Sequence, residues 1–252
     1  MSGHSKWKTI QHKKGAADAK RGKVFSKMSK ELSVTAREGG GDPDKNAALR
    51  TLIQKAKNVN MPSDNIERAI KKGTGELEGA SYEEAVYEGY VAGGVAVVVK
   101  ALTDNKNRAA SEIRHIFNKN NTEFAQQGAV TRNFERKGQI FIDSSQVDED
   151  KLMELVIDAG AEDMKRDGEQ YEILTEPSAF TDVVEALDNA GIQTISSEVS
   201  LVPYNYVDVK DKSTASAAMK FVSDLEDNDD VQNVYTNMNI DDSILEELEQ
   251  GK

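Results

Sequence analysis

The charge of this chain is segregated along its length. Residues 1–75 hold 17 Lys and Arg against 7 Asp and Glu, a local net of +10. The remaining 177 residues hold 15 against 37, a net of −22, so the chain as a whole stands at −12 and conceals a basic end. An asymmetry of this size points to a polyanion-binding arm carried on an acidic body. That body is repelled by nucleic acid, which confines binding to one face. The plainer alternative is that Lys-rich helices serve only solubility.

Composition removes several function classes. The chain has no Cys, which excludes disulfides, thiol catalysis and Cys-ligated zinc or iron–sulfur centres. Its three His are His4, His12 and His115, too few to suggest a His-based metal site. His4 and His12 are expected in polar or phosphate contacts, and His115 in a partly buried structural position. Gly39-Gly40-Gly41 is not followed by Lys-Ser/Thr, and Gly22-Lys23 lacks the upstream glycine of a phosphate-cradling loop. The acidic run Asp224 to Asp230 lacks the glycine and distal glutamate of a calcium loop, and no Gly-x-Ser-x-Gly elbow occurs. No metal, cofactor, small-molecule substrate or enzymatic activity is expected. The longest apolar run of note, Val95 to Val99, falls far short of the roughly 20 residues that span a bilayer. The amino terminus carries no apolar signal core. A cytoplasmic protein without membrane contact is the expectation.

Residues 1–22 contain Trp7 and Ile10 but few other large apolar side chains, and read as an arm that orders only on a partner. From Ala17 to Glu38 the period is helical. Val24, Phe25, Met28, Leu32 and Ala36 share one arc of the wheel, while Lys20, Lys23, Lys27, Lys30 and Arg37 share the opposite one. The pattern predicts a packed helix with a row of cations turned outward. Gly39-Gly40-Gly41 ends it, and Asp42-Pro43-Asp44 is expected to open the next helix, with Leu49, Leu52, Ile53 and Ala56 inward. Asn60-Met61-Pro62-Ser63-Asp64 starts a third helix that ends at Gly73. Three amphipathic helices of this kind make a small bundle.

The acidic remainder alternates strands and helices. Ala85 to Tyr90 and Val95 to Leu102 read as a hairpin across Gly93-Gly94, followed by a helix over Asn107 to Asn118. Gln139–Ile142, Gln146–Ala159, Ala161–Lys165, Tyr171–Leu174, Ser178–Ala190 and Thr194–Pro203 follow as β, α, β, β, α, β, the ferredoxin-like order. Tyr206–Val209, Ser213–Leu225 and Val231–Thr236 close the chain as strand, helix and strand. The hairpin region and this last unit each lack enough strands for a sheet, so the economical solution joins them. The expected fold is α+β in three domains: a basic three-helix bundle with its arm (1–78), a split α/β domain (79–137 plus 204–252) and an inserted ferredoxin-like domain (138–203). Asp241 to Gln250 is expected as an acidic helical tail, either a solvated face or an intermolecular contact.

The opening residues, Ser2-Gly3-His4-Ser5-Lys6-Trp7, His12-Lys13-Lys14 and Lys20-Arg21-Gly22-Lys23, resemble the YebC/PmpR family. So do Arg37 to Pro43, Asn60 to Gly75, Tyr87-Glu88-Gly89-Tyr90, Gly93-Gly94-Val95-Ala96 and Leu102 to Arg108. The likeness runs the length of the chain and is strongest over 1–118. Two turns depart from the family pattern: Val91-Ala92 stands where it has Gly-Pro, and Asn121 to Ala125 where it has a Gly-rich turn. The resemblance implies the same three-domain plan and a regulator of gene expression that binds duplex DNA. It also offers an alternative, a translation factor that binds ribosomal RNA or the ribosome, activating translation or relieving stalled synthesis.

Both readings need the same electrostatics. The clearest basic face is all lysine, suited to phosphate charge without base reading. Trp7 fits an anchor packed on the bundle, or stacking on unpaired RNA bases. The expected phosphate contacts are Lys6, Lys8, His12, Lys13, Lys14, Lys20, Arg21, Lys23, Lys27 and Lys30, with Trp7 beside them. Asn65, Arg68, Lys71, Lys72, Asn107 and Arg108, which fall in the matching motifs, form a second rank. Asn65 and Asn107 read equally well as caps or turn formers.

Overall fold

The computed structural model describes residues 18–250, the side chains of 18–21, 242, 249 and 250 excepted. The expected contacts Lys6, Trp7, Lys8, His12, Lys13 and Lys14, and the side chains of Lys20 and Arg21, lie outside the described residues.

Helices α1 (Asp18–Gly39), α2 (Ala47–Asn58) and α3 (Ser63–Gly73) come first. Gly40 adopts a φ of 87°, a left-handed residue that stops α1 without the clash a side chain would bring. Asp42-Pro43-Asp44 does not open α2, contrary to expectation. Asn46 caps it instead: its side chain accepts from the Leu49 N–H at 3.1 Å, and its Nδ2 donates back to the Gly40 and Thr35 carbonyls. One carboxamide thereby satisfies both helix ends, which a carboxylate cannot do. Leu32, Leu49 and Ala56 are fully buried between the three helices, with Met28, Met61 and Ile66 around them. Gly73 lies against the Ser33 carbonyl and the Ala36 side chain, so the end of α3 rests on the middle of α1.

Strands β1 (Glu83–Val91) and β2 (Val95–Thr103) follow, then α4 (Lys106–Lys119) and the two-residue β3 (Glu123–Phe124). Next come β4 (Phe134–Asp143), α5 (Glu149–Asp158), β5 (Ala161–Asp167), β6 (Gln170–Thr175), α6 (Phe180–Asn189) and β7 (Thr194–Pro203). The chain continues with β8 (Val207–Val209), α7 (Lys212–Glu226), β9 (Val231–Thr236), β10 (Met238–Ile240) and α8 (Asp242–Gln250). The fold is mixed α+β, with two four-stranded antiparallel sheets ordered β3-β1-β2-β9 and β5-β6-β4-β7.

In the first sheet β9 reaches back across more than a hundred residues to pair antiparallel with β2. Helices α4 and α7 cover one face, where Phe117 and Phe221 meet edge to face at 4.8 Å. Between Lys100 and Ala101 the register slips: Lys100 faces Asn233 and Ala101 faces Val231, leaving Gln232 as an extra residue in β9. In the second sheet α5 and α6 bury Leu152, Val156, Val183 and Leu187 against Ile140, Ile142 and Ile173. A smaller apolar layer containing Val98, Val130, Phe134 and Tyr235 joins the two sheets. There Glu88, 1% exposed, accepts backbone N–H groups from Gly128, Val130 and Thr131 at 2.6, 2.6 and 2.9 Å.

Three expectations need correction. The strand that opens the last unit, β8, stays out of the sheet that joins this unit to the hairpin and pairs parallel with β10, a strand of three residues, too short for a period to show. The acidic end of the chain is not merely a solvated helix, because α8 drives Leu245 into the core under α7, at 1% exposure. His115 is exposed rather than partly buried; α4 turns Ile113 and Phe117 inward and His115 to the other side.

Candidate nucleic-acid interface

The described lysines of the α1 face, Lys23, Lys27 and Lys30, turn toward the body of the protein. Lys23 Nζ donates to the Asp227 carbonyl at 2.8 Å, and Lys27 Nζ to the Glu226 carbonyl at 2.7 Å. Lys30 Nζ reaches the Asp229 carbonyl at 2.9 Å and Asp230 Oδ1 at 2.6 Å, and is itself buried. The acceptors lie where α7 ends, and helix C-termini leave carbonyls unpaired and carry partial negative charge that ammonium groups satisfy. Expected phosphate ligands Lys27 and Lys30 are therefore committed to the body of the protein, and Lys23 leans on it while remaining half-buried. Burial pushes the Lys27 ammonium below its ordinary value; Glu226 pulls the other way and Lys23 adds to the fall.

Asp230 gathers this junction. Besides Lys30 it accepts from Thr103 Oγ1 at 2.9 Å and Arg108 Nη2 at 2.8 Å. Burial raises its carboxyl, but Lys30, Arg108 and Thr103 together hold it below the usual value. Arg108 also binds Asp104 at 2.8 Å, so its guanidinium, raised by Asp230 first and Asp104 second, is a structural clamp. Asn107 is exposed at the start of α4 and does not cap it; Asn105 does, accepting from the Arg108 N–H. Sequence reading singled out neither Asn105 nor Asp230 as functional: the cap stands two residues from the one proposed, and Asp230 is one acid in an acidic run.

Helix α3 carries exposed cations with no ion pair among the described residues. Arg68 and Lys72, one turn apart on the same face, line a groove of about 310 Å³ between α3 and α1. Asn65 lines it too and makes no side-chain cap to α3. Across from them α1 contributes Ser26, Ser29 and Ser33, and Tyr82 closes one end. Lys71 is exposed outside the groove. Of the sixteen cations, asparagines and histidine proposed from sequence, the groove brings together Asn65, Arg68 and Lys72. The hydroxyl side was missed, although Ser26, Ser29 and Ser33 recur at helical spacing and so were legible. Two exposed cations, a carboxamide and a line of hydroxyls can bind a phosphodiester backbone without reading base sequence. Among the described residues no group of His, Asp and Glu is placed to hold a metal ion.

This chain matches two family descriptions. Residues 5–76 match the TACO1/YebC protein N-terminal domain, and residues 82–238 the TACO1/YebC second and third domain. It is 56% identical over 247 residues to a "Probable transcriptional regulatory protein" of Desulfatibacillum aliphaticivorans, covering 98% of this chain and 100% of that one. A protein of the same name from Geobacter sulfurreducens is 54% identical over 248 residues, with the same coverage. The crystal structure of a conserved hypothetical protein from Aquifex aeolicus superimposes with a TM-score of 0.81 at 46% identity, covering 90% of this chain and 94% of that one.

Proposed function

The chain belongs to the TACO1/YebC family, and we propose that it regulates transcription by binding nucleic acid through the groove between α1 and α3. The observation that carries this reading is the convergence of Asn65, Arg68 and Lys72 on one groove while Lys23, Lys27 and Lys30 of α1 are occupied elsewhere. The names of its relatives support the regulatory role. Its action is binding and not catalysis. The acidic body limits contact to the basic side, since a net of −22 beyond residue 75 repels a polyanion. No described helix is long and apolar enough to cross a membrane.

We read the architecture as three domains: 1–78, 79–137 with 204–252, and an inserted 138–203. The separate apolar clusters support this division. The order β5-β6-β4-β7 within a βαββαβ unit supports a ferredoxin-like insert.

The test is fluorescence anisotropy of labelled duplex DNA at near-physiological salt, beside an Arg68→Glu/Lys72→Glu variant whose circular dichroism matches the parent. Binding that the variant loses supports the proposal. Undiminished binding by the variant rejects the groove. Absence of DNA binding, with ribosome co-sedimentation that excess duplex DNA does not displace, replaces transcription with the translational reading.

A further inference from the structure

Helix α4 is the exception within the acidic body. It carries Lys106, Arg108, Arg114 and Lys119 against Glu112, a net of 4 − 1 = +3, in a stretch of chain whose net is −22. The described helices after it are neutral or acidic.

Most of that charge is already spent. Arg108 binds Asp104 and Asp230, Lys106 pairs with Glu83, and Lys119 pairs with Asp224 at 3.4 Å. Glu112 accepts from Asn228 Nδ2 at 2.8 Å. The acids along this flank, Asp104, Glu112 and Asp224, are therefore each paired. What is left is a second, narrower stripe. Asn107, Ser111, Arg114 and Asn118 follow one another at i, i+4, i+7 and i+11, within roughly 60° of the helical wheel. All four are exposed, and none makes a side-chain hydrogen bond or ion pair among the described residues. Ala109, Ile113 and Phe117 hold the buried side of the same helix.

Arg114 is held in place for a partner. Its guanidinium lies over the ring of Phe124, 5.2 Å from the centroid. That ring stands edge to face on the buried Phe117 at 5.1 Å and is itself 37% exposed. Stacking on an aromatic face fixes the fork of an arginine while leaving its N–H donors unpaired.

The stripe is continuous with the groove between α1 and α3. Tyr82, which closes the groove, lies 5.5 Å from Lys30 Nζ. Lys30 shares Asp230 with Arg108, in the first turn of α4. A polyanion seated in the groove therefore ends beside the start of this helix.

The groove grips phosphate without reading sequence, and α4 has the opposite chemistry. An asparagine carboxamide can pair with adenine N6 and N7, an arginine fork with guanine O6 and N7, and a serine hydroxyl with either base. A helix that offers three or four such side chains along one face is what a major groove admits. We propose that α4 is the base-reading element of the interface, with Asn107, Ser111, Arg114 and Asn118 set against the base edges of duplex DNA. This rests on the groove reading of the proposed function, which supplies the backbone contacts.

The test begins with duplexes recovered from a random-sequence pool by repeated binding to the full-length protein. Anisotropy then compares a recovered duplex with a scrambled one of the same composition. The parent should bind the recovered duplex at least about tenfold tighter. Arg114→Lys keeps the charge and removes the fork, and Asn118→Ala removes one carboxamide. Each should cut that preference at least about threefold and leave the scrambled duplex bound as before. Both positions are exposed, so thermal unfolding should match the parent. A pool that yields no preferred sequence, or a preference that both variants retain, overturns the proposal; α4 is then a solvated face or a seat for an acidic protein. Arg68→Glu/Lys72→Glu keeps the two readings apart, because it should weaken both duplexes alike. If it does not while the α4 variants lose their preference, the groove fails and α4 stands.

Discussion

Lys30 Nζ sits 2.6 Å from Asp230 Oδ1, a buried ion pair between residues 200 positions apart. It fastens α1 to the loop that leads into β9. Arg108 and Thr103 bind the other oxygen of the same carboxylate, so α1, β2 and α4 share one acceptor in the loop before β9. Attraction between buried charges offsets their desolvation only with such additional hydrogen bonds.

Asp230→Ala should be the most damaging substitution at this junction, because it leaves the buried Lys30 ammonium with carbonyl acceptors but no counter-charge. A loss of about 3–5 kcal/mol is expected. Lys30→Met keeps the stem packed, and Asp230 retains Arg108 and Thr103, so its cost should be clearly smaller. Urea unfolding of both variants measures the order; a Lys30→Met loss equal to or above that of Asp230→Ala contradicts it.

Acid should weaken the loop held by Glu88. Burial raises this carboxyl, yet the N–H groups of Gly128, Thr131 and Val130 prevail and set it below 4.5. A carboxylate with a depressed folded value contributes stability that is complete above its unfolded value and lost as the pH falls through the folded one. Stability should therefore drop from about pH 4.5 downward, partly through this group. Glu88→Gln should cost about 2 kcal/mol at neutral pH and flatten that acid limb. Urea midpoints across pH 3 to 7 would show it, and parallel curves for the two proteins would refute the assignment.

The acidic loop after α7 should repel a polyanion that approaches the neighbouring groove between α1 and α3. Asp227 approaches Lys23 at 3.5 Å, and both are substantially exposed, so their attraction is small. Neutralising Asp227→Asn with Asp229→Asn should raise affinity for duplex DNA by roughly two- to fivefold. Unchanged or weaker binding would mean that Lys23 and Lys27 stay docked when nucleic acid is bound.

Salt dependence separates a phosphate contact from a structural lysine. Lys72→Ala should lower the slope of log affinity against log salt by about 1 and change stability by under ~0.5 kcal/mol. Lys30→Ala should alter stability while leaving that slope in place. Anisotropy titrations between 50 and 200 mM salt distinguish the two, and the opposite pattern would return Lys30 to the interface.

Leu245 anchors the acidic end. Leu245→Ala should cost about 2–5 kcal/mol by opening a cavity beside α7, whereas an exposed acid on the same helix, Glu246→Ala, should be near neutral. Thermal unfolding of the two variants decides between a core helix and a solvated tail.

Local pattern carried a great deal of this protein. The apolar period of α1, the glycines at 93 and 94 and the two halves of the βαββαβ unit are properties of neighbouring residues, so helices, hairpin and strand order were readable to within a few positions. The segregation of charge was likewise visible, as were the motif positions Asn65, Arg68 and Lys72, which the groove later brought together. What the chain does with a charge was not visible. Lys30 and Lys72 are both lysines on amphipathic helices, yet one is buried against Asp230 and the other opens to solvent. Their difference depends on the carbonyls at the end of α7, nearly 200 residues further on. Short strands such as β3 and β10 hold too few residues for a period, and the bulge at Gln232 exists only in the register between two distant strands. Sequence by itself determined which segments are helix or strand and where positive charge is concentrated, because those follow from short-range periodicity. The tertiary structure decided which cations remain free and which stripe of α4 stays unpaired, because pairing and desolvation depend on partners that only folding brings within reach.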